Sequence, residues 1–192
     1  MNAVRRAAAV LADPATVWPR IEKENGDAVY LLISYVALFA LVPAVAGFIG
    51  GCIIGVIVPG GATVRTPMAD GLLGAIFGYV AAFAQVLLVA LMIDISAPWF
   101  GASRSFTAAL KLTVYSFTPV WLAGIFLLLP GLRFLGFTGF YGAVILANGL
   151  PVLMRAPEQR SLSFTAAIVV LAAALLFVTA AAQRSLFGSA GP

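Results

Sequence analysis

The sequence predicts an all-α polytopic integral membrane protein, a bundle of five transmembrane helices preceded by an amphipathic interfacial segment. Three observations predict it. Hydrophobic residues make up 62% of the 192 and charged residues only 9%, too little polar surface for a chain that faces water on every side. The apolar residues gather into five runs, each close to or beyond the roughly 20 residues that a hydrocarbon core requires. The breaks between the runs hold proline and glycine, and most of the charges lie outside the runs, in the breaks and in the N-terminal segment.

Residues 1–26 read as a cytoplasmic interfacial helical segment and 27–192 as the transmembrane domain. Residues 2–12 favour helix, with Val4, Ala7, Ala8 and Leu11 toward one side and Arg5 and Arg6 toward the other. Asp13-Pro14 reads as an N-cap followed by proline at the first helical position, where the missing N–H costs nothing. In the short helix that follows, Val17, Trp18 and Ile21 lie within a turn of each other, and Pro19 interrupts the hydrogen-bond ladder. Residues 3–24 are therefore expected to lie on the membrane surface. Trp18 would sit at headgroup depth, with Arg6, Arg20 and Lys23 beside lipid phosphates. Arg5, Arg6, Asp13, Arg20, Glu22, Lys23 and Glu24 charge this stretch too heavily for a cleaved signal, so the first crossing is expected to serve as the insertion signal.

The crossings are expected at about 28–58, 71–96, 105–129, 132–153 and 164–182. The first holds Pro43 and the series Gly47, Gly51 and Gly55, a spacing of four that lines one helix face for close packing, inside the bundle or against another copy. The Pro- and Gly-rich stretch 59–70 connects it to the second. That crossing repeats the device with Gly74, Gly78 and Ala82, and carries Gln85 and Asp94. The third starts at Ser105 as a cap, holds Lys111 and Pro119, and stops at Pro130. The fourth places Gly136, Gly139 and Gly142 three apart and contains Asn148 and Pro151. The last is uncharged, with Ser161 and Ser163 as candidate caps. Gln85 and Asn148 are candidates for hydrogen bonds between helices.

Five crossings put the termini on opposite faces, and charge chooses the direction. The N-terminal segment (Arg5, Arg6, Arg20, Lys23), the second connection (Arg104, Lys111) and the fourth (Arg155, Arg160) carry eight of the 11 basic residues. The first and third connections and the tail carry three, Arg65, Arg133 and Arg184. The N-terminus is thus expected in the cytoplasm and the C-terminus outside. A net charge of +4, placed beside apolar runs, suits a bilayer with anionic headgroups rather than nucleic acid.

The chain has no histidine, which removes Ser-His dyads, His-Glu-x-x-His zinc sites and histidine relays. A lone Cys52 cannot form an internal disulfide or a multi-cysteine metal site. Asp94 is the one acid inside an expected crossing, which removes paired-carboxylate proteolysis and acidic metal clusters. No catalysis, metal or cofactor is expected. Asp94 and Lys111 remain as a candidate intramembrane polar pair near one interface, where Lys111, about 9 Å deep at 1.5 Å per residue, can snorkel. Two readings follow. One is a non-enzymatic protein that organises membrane or partner proteins, or copies of itself, through helix contacts. The other is a small transporter or channel using Asp94, Lys111 and Gln85. The prolines at 43, 119 and 151 speak for the second, and five crossings without an inverted repeat speak against it.

The opening LADPATVWPRIEKENGDAVYLLISYVALFALVPAVAGFIG resembles the start of bacterial short-form members of the Yip family. The resemblance continues through GASRSFTAALKLTVYSFTPVWLAGIFLLLP and FTGFYGAVILANGLPVLMRAPEQRSLSFTAAIVV, with a Tyr-Ser-x-Thr-Pro step and a Tyr-Gly pair, over roughly residues 5–182. It implies five transmembrane helices, a cytoplasmic N-terminus and, for a bacterial member, the inner membrane. Eukaryotic relatives are linked to vesicle traffic and prenylated Rab-type GTPases. This sequence differs from them in lacking a long N-terminal region and the Asp-Leu-Tyr-Gly-Pro signature.

Overall fold

The computed structural model describes residues 3–23, 31–57 and 62–187. Glu24, the expected start of the first crossing at residue 28 and its expected end at Val58 lie outside the described residues. Five helical stretches are long and apolar enough to cross a membrane: Leu31–Ile54, Met68–Phe100, Phe106–Leu128, Gly131–Leu153 and Glu158–Phe187. The protein is a multi-pass helical membrane protein.

Helices α1 (Ala3–Ala12) and α2 (Pro14–Glu22) turn at Asp13, whose carboxylate accepts the Thr16 N–H at 3.3 Å, with Pro14 opening the second helix. The first span, α3 (Leu31–Ile54), is π-helical at both ends and ends at Gly55, whose φ of +84° turns the chain into a small antiparallel hairpin, β1 (Val56–Ile57) with β2 (Thr63–Val64). The second span consists of α4 (Met68–Ser96) and a 3₁₀ turn to Phe100. In the third, α5 (Phe106–Ser116) and α6 (Thr118–Ala123) meet at Phe117, and a 3₁₀ stretch follows to Leu128. The fourth begins as a 3₁₀ helix, Pro130–Phe140, and continues as α7 (Tyr141–Leu153). The fifth is α8 (Glu158–Phe187). Ser161 and Ser163 lie inside α8 and not at its cap, because the helix starts earlier, directly after Pro157.

The third span is the centre of the bundle. Its most apolar window is 72% buried, against 17% for the fifth span, which faces mainly outward. Pro119 offers no N–H to the ladder, and the span bends at this point. Before the bend, α5 packs on α4 and α7. Beyond it, α6 and its 3₁₀ extension lean onto α3, where Gly124 lies against Pro43 and Gly50 against the Leu127 carbonyl. The close approach in α3 is therefore at Gly50, whereas Gly47 and Gly51 meet only the side chains of Leu127 and Thr66. The wider π turn over Ile49–Ile54 breaks the spacing of four on which an α-helical face depends.

In the fourth span, Gly142 abuts the Ser116 carbonyl and Gly139 the Val120 backbone, but Gly136 is exposed with open space where a Cβ would go. Gly136 thus makes no close packing contact at this position, although the 3₁₀ period puts it on the same face as the buried Gly139.

The N-terminal pair is part of this bundle. Helix α2 packs on α7 and α1 on α6, and Ala7, Val10, Val17, Trp18 and Ile21 belong to the same core as the spans. Trp18, expected among lipid headgroups, is covered by protein: it is 1% exposed, donates its Nε1–H to the Ile145 carbonyl at 3.1 Å, and lies against Gly149. The same face buries Arg6, which therefore is not on the surface. Its guanidinium carbon is 6.0 Å from the centre of the Tyr115 ring, a cation–π distance. Arg20 and Lys23 are exposed.

Candidate functional site

The bend in the third span leaves a hollow. Because α5 follows α4 while α6 turns away to α3, the far halves of the first, second, third and fifth spans enclose a vestibule of about 490 Å³. Its walls are narrow-sided residues such as Gly47, Gly74, Gly78, Ala44 and Ala75. Thr66, Asp70, Arg133 and Arg184 line it at the end where the first and third connections lie, and Gln85, Phe117 and Trp121 line its inner end. From Asp70 to Gln85 is 15 residues of α4, about 22 Å at 1.5 Å per residue. One wall is fixed by Gln183, whose Nε2 donates to the Gly74 carbonyl at 2.8 Å and joins α8 to α4.

A second, apolar cavity of about 180 Å³ lies between the third, fourth and fifth spans, lined by Thr113, Ser116, Gly142 and Ile168 among others. Phe117, Val120 and Leu176 line both cavities and so form the partition between them.

Beside the partition, Tyr35 and Thr118 share a hydrogen bond of 2.8 Å. The Tyr35 ring meets Tyr115 edge-on with centres 5.1 Å apart, and Tyr115 meets Trp18 at 6.1 Å. Tyr141 reaches the Leu11 carbonyl at 3.1 Å. These contacts tie α1 and α2 to the middle of the spans, where a hydroxyl without a partner would cost several kcal/mol.

Asp94 and Lys111 do not pair with each other. The Asp94 carboxylate takes the Arg104 guanidinium at 2.9 Å, and Lys111 Nζ donates to the Ile21 carbonyl at 3.2 Å. The turn Ala97–Gly101 brings Arg104 back over the end of α4, whereas α2 lies over Lys111. Neither residue lines the vestibule, which Gln85 does. Among the described residues Gln85 makes no side-chain hydrogen bond, and Asn148 donates to Val144 of its own helix at 2.8 Å and does not bridge helices. Between spans the side-chain bonds fall instead to Tyr35, Tyr79, Ser161 and Gln183. Tyr79 and Ser161 bond the carbonyls of Ala37 and Ala147.

With this arrangement in view, the chain matches the Yip1 domain over residues 8–181. It belongs to the Yip1 domain family. The matched stretch runs from within α1 to near the end of α8, so it takes in α2 and most of the vestibule lining, while Arg6 and Ala7 precede it and Gln183, Arg184 and Phe187 follow it. No curated protein and no solved structure matches the chain.

Proposed function

We propose that this Yip1-domain protein is a non-enzymatic membrane organiser that holds an amphipathic molecule of the bilayer in its vestibule. One observation carries the reading: the hollow is apolar within, polar at its mouth, and closed at its inner end by Phe117, Val120 and Leu176. Its volume falls in the range of small-molecule sites, roughly 300–1,000 Å³. Organisation of protein partners or of a second copy would use the outer faces of the spans, since Gly74 and Gly78 are already covered by Gln183. The charge count orients the N-terminus to the cytoplasm, so the mouth opens on the opposite face of the membrane, which the short-form resemblance makes a bacterial inner membrane.

Trp121 provides the test, because it is buried from outside lipid but lines the vestibule. The full chain is reconstituted in bilayers whose acyl chains carry bromine, and the fluorescence lost with Trp121→Phe is followed. Quenching of that component is the expected result, and an unquenched Trp121 would overturn the reading. The carrier reading keeps one observation in its favour, that Gln85 stands at the inner end of the vestibule beside the partition.

A further inference from the structure

We infer that the occupant is an anionic amphipath, its tail in the vestibule and its acidic headgroup on Arg133 and Arg184. This rests on the holding function proposed above and adds the chemistry of the ligand. Arg133 comes from the start of the fourth span and Arg184 from the end of the fifth, and both line the cavity together with Thr66 and Asp70. Two cations therefore face one acid at the mouth. Among the described residues neither arginine makes an ion pair, and the structure shows no carboxylate that neutralises either of them.

Below the mouth the walls change to glycine, alanine and phenylalanine, and the hollow continues about 22 Å along α4. One leaflet of a hydrocarbon core about 30 Å thick occupies about 15 Å, so a tail entering from that leaflet can lie wholly inside. Guanidinium groups suit this role because they bind phosphate or carboxylate through two parallel hydrogen bonds. Charge and cavity agree: the cations stand where the headgroup of an inserted lipid would be.

The test uses the full-length protein and two probes with the same acyl chain, lysophosphatidylglycerol and lysophosphatidylcholine, with retention read by native mass spectrometry. The wild type should retain the anionic probe roughly tenfold better, a difference of the size one charged hydrogen bond supplies. Arg133→Gln with Arg184→Gln should bring the two probes to parity while both are still retained. A preference that survives the double substitution overturns the headgroup assignment and leaves the holding function standing. Ala44→Leu and Gly78→Leu fill the chamber from different helices and should remove both probes. If retention is unchanged in whichever filled variant folds, the holding function falls and the headgroup assignment with it. Parity between the probes in the wild type also overturns the assignment, since the tail alone would then decide binding.

Discussion

Replacing Trp18 by alanine should release the N-terminal helices from the bundle. The ring is 1% exposed, lies against Gly149, meets Tyr115 edge-on, and gives its N–H to Ile145. Removing a buried Trp costs about 3–5 kcal/mol in a soluble core. Here the released segment retains a favourable place at the membrane interface, where Trp is at home, so the lower end near 3 kcal/mol is the better figure. That energy multiplies the undocked population by roughly 150. The assay places a cysteine at Ala7, a buried position on α1, in a Cys52→Ser background, and follows maleimide labelling in detergent. Ala7→Cys should be protected with Trp18 present and label about two orders of magnitude faster with Trp18→Ala. Trp18→Phe should fall between them, having lost the hydrogen bond, worth about 1 kcal/mol, but kept most of the packing. Rapid labelling with Trp18 intact would refute the docking and return the segment to the membrane surface.

Thermal unfolding in detergent checks three further expectations. Gly142→Ala should destabilise by about 1–3 kcal/mol because its Cβ meets the Ser116 carbonyl, whereas Gly136→Ala, in open space, should stabilise by up to about 1 kcal/mol. Equal effects would mean that the fourth span is rotated from the position described. Arg155 has a φ of +51° in the turn after α7, so Arg155→Gly should gain about 1 kcal/mol, and a loss would show that the arginine side chain holds that turn. Gln183→Ala removes the bond to Gly74 and should cost about 0.6–1.7 kcal/mol, the span measured for polar contacts between membrane helices.

The sequence made the five spans legible because length, hydropathy and proline or glycine breaks are local properties. The caps at Asp13 and Ser105 were readable for the same reason, each a side chain bonding a backbone N–H three residues on. What could not be read was which face of each helix turns inward. Arg6 looked like a surface charge because Arg5 is beside it, yet the buried face of α1 runs through Arg6, Ala7 and Val10. Lys111 and Asp94 looked like partners because depth alone was available, and depth does not show that Arg104 folds back over α4. The glycine spacing misled where the helix is not α: a π turn in α3 changed the period on which a spacing of four relies. The Tyr-Ser-Phe-Thr-Pro step was the one available sign of the mid-span cluster. It contains Tyr115, Phe117, Thr118 and the proline that bends the third span.

That bend also decides between holding a molecule and passing it through. Phe117 stands at the junction of α5 and α6 and lines both cavities, so Phe117→Ala would join a space of about 490 Å³ to one of about 180 Å³. In a carrier the joined space would approach a pathway, and liposomes containing the variant should leak small solutes. The packing argues otherwise. Alongside the smaller cavity and past it, α5 is buried from Ala109 to Ser116, and the connections at that end are tied together by the Ser103 N–H on the Met154 carbonyl at 2.7 Å. Enlarging the hollow at its middle leaves this half closed. The expected outcome is therefore a variant that loses about 3–5 kcal/mol of stability, as large-to-small aromatic substitutions do, and remains tight to solutes in a dye-release assay. Leakage from Phe117→Ala, with wild-type liposomes tight, would place the closure at that one ring and restore the carrier reading.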